Sequence, residues 1–291
     1  MMTSNTGTAS RHAPRNTPSP ARESLATIPA TVTRATVHGR ERRRVFWRGA
    51  VRLLGVSLIA ALPGLAQAQD FALKMSLDYG DADGPLRLNG ASTSFGFGAL
   101  IPQVVSYLGP FGELGVGYGY GYGPNQTATL GPVAGKGDLE STVLQLNYAK
   151  DFELSDDWAI GVFAERRDYE VSGTLQGRFG EDSAPIRVRS DIIFEEIGLQ
   201  LSYRAAQDLR FYVGVSSLDW DVDSNARATV NQSITAEVDV DGNDTTTQLK
   251  LGLDTRLWDF PVAFELRSAD LEADETVNKL EVRVTATLAE F

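Results

Sequence analysis

Apolar and polar side chains alternate at every second position through most of this chain. Near its end, for example, Leu280, Val282 and Val284 alternate with Glu281 and Arg283. A spacing of two is typical of a β-strand, because successive side chains of a strand point to opposite faces. About ten segments show it: residues 70–79, 92–103, 112–123, 141–154, 158–171, 191–206, 209–220, 246–257, 262–270 and 279–290. The sequence therefore predicts an all-β fold.

The connections between these segments alternate in length. The short ones are residues 155–157, 206–208 and 258–261, and the long polar ones are residues 80–91, 124–140, 172–190, 221–245 and 271–278. Short turns at one end and long loops at the other are typical of barrels in the bacterial outer membrane. We therefore predict a transmembrane up-and-down antiparallel β-barrel of about 10 strands, with 8 or 12 as alternatives. A soluble periplasmic β-sandwich, whose strands also alternate, is the competing fold.

The first 68 residues differ from the remainder in charge. They contain ten arginines, no lysine and two acids, whereas the rest of the chain contains 17 basic and 36 acidic side chains. Residues 1–44 lack apolar periodicity, so we expect a disordered extension or a mis-assigned start. Residues 45–68 combine a basic flank, an uncharged run and small residues, which predicts a signal peptide cleaved near Ala68/Gln69. The barrel is predicted at residues 69–291.

Aromatic residues stand at strand ends, as in small bacterial outer-membrane barrels. Trp158 directly follows a short turn and shares the face of Ile160 and Val162, which suits the membrane interface. The chain ends in Phe291, and the last strand of those barrels commonly ends in an aromatic residue. In these respects residues 69–291 resemble small bacterial outer-membrane β-barrel proteins.

The resemblance implies an outer-membrane location and several partners. Outer-membrane lipid and lipopolysaccharide are expected around the barrel, and the barrel assembly machinery is expected to read the last strand. In those proteins the final aromatic residue usually lies on the apolar face, whereas Phe291 is out of step with the apolar even positions of residues 280–288. A β-bulge near Ala289 and Glu290 would restore Phe291 to the apolar face; without one, the assembly signal is weak. We also expect a monomer.

Glycine occupies every second position of the segment Glu113–Asn125, whose sequence is ELGVGYGYGYGPN. The candidate lumen-lining glycines are Gly115, Gly117, Gly119 and Gly121. The candidate membrane-interface aromatics are Tyr118, Tyr120 and Tyr122 on the opposite face, together with Trp158. Each glycine costs roughly 0.5–1 kcal/mol relative to alanine. The row either permits tight curvature of a narrow barrel or opens a polar channel along a bare wall.

Charged residues recur on the face opposite the apolar one, and we predict that they line the lumen. The candidates are Lys74, Asp78, Glu165, Arg167, Glu196, Arg204, Arg210, Lys250, Asp254, Arg256, Glu265, Arg267, Glu281 and Arg283. Basic and acidic members are nearly balanced, and an unpaired buried charge is very costly, so they must pair. The alternatives are a plug of ion pairs and a wider, water-filled lumen that leaks small solutes.

Neither histidine nor cysteine occurs in the predicted barrel. The chain has no cysteine, and both histidines, His12 and His38, precede the barrel. The known outer-membrane enzymes rely on a histidine, so we expect no catalytic residue and no enzyme. No metal or cofactor motif occurs, and we expect neither a metal nor a cofactor. The acidic charge of the barrel segment argues against a nucleic-acid partner.

Negative charge concentrates in the predicted loops. Residues 238–244 faintly resemble a calcium loop, but Gln248 stands where a bidentate glutamate belongs, so Asp241 and Gly242 are better explained as a turn. We predict a barrel with a salt-bridged lumen and acidic extracellular loops, in a structural or surface-interaction role. A small cation-preferring diffusion pore is the alternative, and a soluble periplasmic β-sandwich binding module is the second.

Overall fold

The structure, a computed structural model of the chain, describes residues 70–82, 86–88, 91–93, 96–230, 233–271 and 277–291. The extension predicted at 1–44 and the signal peptide predicted at 45–68 lie outside the described residues. Within the described ranges, no helix is long and apolar enough to cross a membrane.

Thirteen strands in the described ranges form one antiparallel sheet. They are β1 (Phe71–Ala82), β2 (Leu86–Leu88), β3 (Ala91–Thr93), β4 (Gly96–Tyr107), β5 (Glu113–Leu130), β6 (Val133–Glu153), β7 (Trp158–Phe179), β8 (Asp182–Ser183), β9 (Ile186–Ala206), β10 (Leu209–Val230), β11 (Ser233–Leu257), β12 (Phe260–Leu271) and β13 (Val277–Glu290). Ten form a closed ring in the order β1-β4-β5-β6-β7-β9-β10-β11-β12-β13, and β13 pairs back with β1. This confirms the predicted ten-stranded antiparallel barrel. The β-sandwich alternative is wrong, because the described strands form a single closed sheet.

The ring has two different ends. At the short-turn end, β4 is joined to β5 through the 3-10 turn Gly109–Phe111, and the other connections are residues 154–157, 207–208 and 258–259. The opposite end is the long-strand end, where β2 and β3 form a hairpin beside β5 and β8 pairs with β7. The predicted short connections are present, but β5 and β6 are joined at the opposite end by residues 131–132 alone, so the long loop predicted at 124–140 is not found as a loop.

Six strands continue through much of what the sequence predicted to be loops. Residues 124–140, 172–190 and 221–245 lie almost entirely in β5, β6, β7, β9, β10 and β11. The turn predicted at Asp241 and Gly242 is also wrong, because both residues lie within β11. The structure therefore extends the sheet well beyond the segments predicted from apolar alternation.

The alternation reverses its sense in these extensions, which is why they were predicted as loops. Near the short-turn end the apolar residues point outward, as shown by Leu77 at 54% exposure beside Asp78 at 3%. In the extensions the apolar residues point inward, and a hydrophobic core fills the long-strand end of the barrel. Its fully buried members include Leu130, Val133, Leu175, Ile186 and Leu218.

An apolar belt surrounds the barrel between the two ends. In β1 it extends from Phe71 to Tyr79, which is about 26 Å along the strand at ~3.3 Å per residue. With a tilt of roughly 40°, the belt is about 20 Å tall along the barrel axis, close to the ~25 Å apolar band of outer-membrane barrels. The outward side chains of all ten ring strands in this zone are mainly Leu, Val, Ile, Phe and Tyr.

A β-bulge lies at Leu288. Leu73 pairs with Ala289 and Lys74 pairs with Thr287, so Leu288 is the extra residue of β13. The bulge lies next to the predicted position and shifts the side-chain alternation by one residue. As a result Phe291 stands opposite Phe71, on the outward face of the barrel.

Candidate functional site: the lumen of the barrel

A buried cluster of ion pairs crosses the middle of the lumen. Its centre is Glu165 of β7, whose Oε1 and Oε2 accept hydrogen bonds from Arg283 Nη2 at 2.7 Å and Arg267 Nη2 at 2.9 Å. Arg167 Nε lies 3.0 Å from Glu165 Oε1. Three guanidinium groups from three strands therefore surround one carboxylate.

Further carboxylates balance these arginines. Arg283 donates two hydrogen bonds to Asp78, from Nε at 2.9 Å and from Nη2 at 2.7 Å. Arg167 Nη1 donates to Glu281 Oε1 at 2.7 Å. Arg267 donates to Glu196 at 2.8 Å and also to Glu265.

Two lysines complete the cluster, and each lies over an aromatic ring. Lys250 Nζ is 3.4 Å from the centroid of the Phe163 ring and 3.4 Å from Glu265 Oε2. Lys279 Nζ is 2.6 Å from Glu281 Oε2 and 4.8 Å from the centroid of the Phe194 ring. These charges are nearly inaccessible to solvent, so the attraction between them and the hydrogen bonds must offset a large cost of desolvation.

The predicted glycine row is buried and covered by neighbouring side chains. A Cβ atom on Gly115 would lie 2.1 Å from Asn147 Oδ1, and one on Gly121 would lie 2.2 Å from Ser141 Oγ. Gly117 faces Gln103, and Gly119 faces the backbone of β4. The row therefore accommodates side chains and backbone of the adjacent strands, which leaves no open channel along it.

The predicted interface aromatics lie on the outer surface. Tyr118, Tyr120 and Tyr122 are exposed near the long-strand limit of the belt. Trp158 lies at the short-turn limit, where its ring packs 4.8 Å from the ring of Tyr203. These aromatic residues therefore stand at opposite edges of the apolar belt.

Other predicted lumen residues line a vestibule that opens at the short-turn end. It has a volume of about 630 Å³, and the ion-pair cluster forms its floor. Lys74 pairs there with Glu113 at 3.3 Å. Arg210 is half-buried and joins Asp254, at 2.8 Å, to Asp151.

Two predicted lumen residues stand at the rim of the short-turn end. Arg204 and Arg256 are exposed there, and Arg256 lies 3.8 Å from Asp208. Arg204 pairs with Arg210 in the strand register and lines a small pocket with Arg210 and Ser202. Both arginines therefore occupy inward positions at the mouth of the barrel, beyond the buried part of the wall.

Three charged lumen residues were missed by the sequence prediction. They are Glu113, Asp151 and Lys279, which contact Lys74, Arg210 and Glu281 respectively. In the alternation of their strands, all three occupy positions that face the lumen. The alternation therefore marked them as lumen residues. They were overlooked because Glu113 and Asp151 lie near strand ends and Lys279 lies at the start of a predicted segment.

The lumen is blocked in two successive layers. The ion-pair cluster closes the floor of the vestibule. Beyond it, toward the long-strand end, the hydrophobic core of inward residues such as Leu175 and Leu218 fills the barrel. An ion that entered the vestibule would have to cross a dry apolar layer to leave at the other end.

No protein-family model matches the chain, and no curated protein matches it. Solved structures of outer-membrane barrels are similar to it. The outer membrane protease OmpT from Escherichia coli is 11% identical, over 76% of this chain and 95% of that chain, with a TM-score of 0.45. The translocator domain of autotransporter NalP from Neisseria meningitidis is 12% identical, over 82% and 95%, with a TM-score of 0.38. Ail, the attachment invasion locus protein of Yersinia pestis, is 8% identical, over 77% and 97%, with a TM-score of 0.35.

The names of these three proteins describe different activities, so no activity is assigned to this chain from them. The expected resemblance to outer-membrane barrels is nevertheless the one found. The closed antiparallel ring, charged lumen and apolar outer belt of the chain are themselves the architecture of an outer-membrane β-barrel, and no narrower family is assigned.

Proposed function

We propose that this protein is a non-conducting outer-membrane barrel that acts through the sheet it holds outside the membrane. The observation that carries this proposal is the hydrophobic core inside the long-strand end, whose residues include Leu130 and Ile186. A diffusion pore needs a continuous polar path, and this core interrupts it. The extended strands and their polar outer face then remain as the part that a partner at the cell surface can reach.

The surfaces of the barrel support a membrane position with the long strands outside. The apolar belt requires hydrocarbon around it, because an exposed apolar band of this size is not stable in water. The aromatic residues at both edges of the belt suit the two membrane interfaces. Lipid and lipopolysaccharide are then its lateral partners, and the exposed Phe291 is available to the assembly machinery after cleavage near Ala68/Gln69.

A surface-interaction role is favoured over a purely structural one by the length of the extensions. β10 and β11 pair without a break from Ser217 and Thr247 to Asn225 and Asp239. This is about 27 Å of paired strand at ~3.4 Å per residue. Anchoring alone needs no sheet of this height. Its outward residues are polar and about half of them are acidic, as at Asp223 and Asp239, which favours cationic or hydroxyl-rich partners over anionic ones.

Conductance of the purified protein in planar bilayers tests this proposal. We expect no steady current, together with detergent-dependent solubility and heat-modifiable migration on a gel, which show that the barrel is folded. A steady, cation-selective current from the folded barrel would overturn the proposal and favour the diffusion pore.

A further inference from the structure

A trough of about 680 Å³ lies on the outer surface of the barrel, and on β5 and β6 it begins directly beyond the apolar belt. On β6 the last outward apolar residue is Leu144, and the next outward residue, Thr142, already belongs to the trough. In the membrane orientation proposed above, the trough therefore faces the headgroup layer of the outer leaflet.

Strand register builds this trough from two rows of outward side chains. In the row nearer the membrane, Tyr120 stands opposite Thr142, Thr142 opposite Glu170, and Glu170 opposite Asp191. At a spacing of ~4.8 Å between strands, Tyr120 and Asp191 are about 14 Å apart. The small side chain of Thr142 lies between them and makes a floor.

The second row repeats this arrangement one step further out. Tyr122 stands opposite Glu140, Glu140 opposite Ser172, and Ser172 opposite Arg189. Two tyrosines thus form one wall, Asp191 and Arg189 form the other, and carboxylates and hydroxyls lie between. The distance of about 14 Å between the two walls suits one or two six-membered sugar rings.

The tyrosine wall is fixed in place. The hydroxyl of Tyr122 donates a hydrogen bond to Asp138 Oδ2 at 2.6 Å, and Asp138 Oδ1 accepts one from the backbone N–H of Asn125 at 2.9 Å. Tyr120 is 71% exposed, and its ring packs edge-on against the ring of Tyr118. An ordered aromatic face lowers the entropic cost of binding.

The polar groups of the trough are available to a ligand. Glu140, Glu170, Asp191 and Arg189 make no ion pair with any other residue in the described ranges. Carboxylates accept hydrogen bonds from hydroxyl groups, and a guanidinium group donates them. Because three carboxylates stand against one arginine, a phosphate group would be repelled, whereas a neutral polyhydroxylated ring would not.

We propose that this trough binds a neutral sugar residue, which stacks on Tyr120 and Tyr122 and donates its hydroxyl hydrogens to Glu140, Glu170 and Asp191. The proposal deepens the surface-interaction role above and rests on it, because it requires the long-strand end to face outward. The sugar is either the headgroup of an outer-leaflet glycolipid or part of a free oligosaccharide, since both present the same ring.

Binding measurements on the folded barrel test the proposal and separate the two sources. One arm titrates neutral hexose disaccharides against the protein in detergent and follows saturation-transfer NMR. The other places the protein in nanodiscs that contain a galactosyl diacylglycerol, or the same diacylglycerol with a phosphocholine headgroup. Tyr120→Ala is the test variant. Tyr79→Ala is the matched control, because Tyr79 is an exposed tyrosine of β1 that does not line the trough.

We expect Tyr120→Ala to weaken sugar binding by about tenfold, with Glu170→Gln weakening it less and Tyr79→Ala leaving it unchanged. Binding of free disaccharide assigns the trough to oligosaccharides, and binding only of the galactolipid assigns it to a headgroup. The proposal that the trough binds a sugar is overturned by the absence of sugar-dependent binding, or by equal losses in Tyr120→Ala and Tyr79→Ala. Those failures leave the proposed function intact if the same barrel inserts and does not conduct.

Discussion

The backbone N–H groups of Phe71 and Phe291 each donate a hydrogen bond to the carbonyl oxygen of the other residue, at 3.0 Å and 2.8 Å. The first strand and the last residue of the chain thereby close the barrel at its short-turn end. The bulge at Leu288 is what brings Phe291 to the outward face, opposite Phe71.

Deletion of Leu288 is expected to impair assembly of the barrel. Without the extra residue, Ala289 and Phe291 lose the register of the outward face, so the C-terminal aromatic ring turns toward the lumen. We expect a large fall in the heat-modifiable, folded fraction in outer-membrane preparations. Leu288→Ala keeps the bulge and is the control. Equal yields of the deletion and the control would show that the position of Phe291 is unimportant.

Removal of Arg283 is expected to destabilise the barrel by about 3–5 kcal/mol, because it leaves Asp78 and Glu165 as uncompensated buried charges. Unfolding by denaturant in detergent measures this loss. Arg256→Ala is the matched control, since Arg256 is exposed and its contact with Asp208 is long, at 3.8 Å; it should change stability by no more than ~0.5 kcal/mol. Similar stabilities for both variants would contradict a role of the cluster in holding the fold.

Alternation predicted which face of each strand carries the charges, because a strand has an exact period of two. Acids and bases two positions apart share one face, and Glu265 contacts Arg267 and Glu165 contacts Arg167 at this spacing. Contacts across the lumen were not predictable. Glu165 and Arg283 are 118 residues apart in the chain, and their meeting depends on strand tilt and register, which no local pattern specifies.

The ends of the strands were the other limit of the sequence prediction. The segments were recognised by apolar residues on the outward face, and this signal stops where the belt stops. Leu175 and Ile186 continue the alternation on the inward face, but without the lipid-facing pattern they were assigned to a loop, residues 172–190. The hydrophobic core that they form, and with it the closure of the lumen, therefore emerged only from the structure.

In the glycine row, the stability lost by one substitution should be restored by a second substitution. Gly115→Ala places a methyl group 2.1 Å from Asn147 Oδ1, which is a side-chain atom, and should cost about 1–3 kcal/mol. The additional change Asn147→Ala should recover most of this loss. Gly119→Ala meets the backbone oxygen of Leu100 at 2.1 Å instead, so no side-chain truncation should rescue it. Denaturant unfolding distinguishes the three cases, and a neutral Gly115→Ala would mean that the wall is open there.

The paired extensions of β10 and β11 contain a pH-dependent contact. The pKa of Glu237 lies below its ordinary value, mainly because Arg227 donates a hydrogen bond to it and also because Asn225 does. Since the folded-state pKa is lowered, this contact contributes stability above the pKa of the unfolded chain and loses it as the pH falls through the folded-state value. Arg227→Gln should raise the pKa of Glu237, as measured by carboxyl NMR titration. Arg204→Gln, at the opposite end, should leave it unchanged.

The two layers that block the lumen predict how a pore can be made. Arg267→Ala removes a guanidinium group from the ion-pair cluster, but the hydrophobic core around Leu175 and Leu218 still closes the barrel. We therefore expect Arg267→Ala to remain silent in planar bilayers.

A path should open only when both layers are breached, as in Arg267→Ala combined with Leu175→Ser and Leu218→Ser. Each serine removes apolar volume and lets water reach the vestibule from the long-strand end. Leu175→Ser with Leu218→Ser alone is the matched control and should stay closed at the cluster. Steady current from Arg267→Ala alone, with the barrel still heat-modifiable, would show that the apolar layer does not seal the lumen.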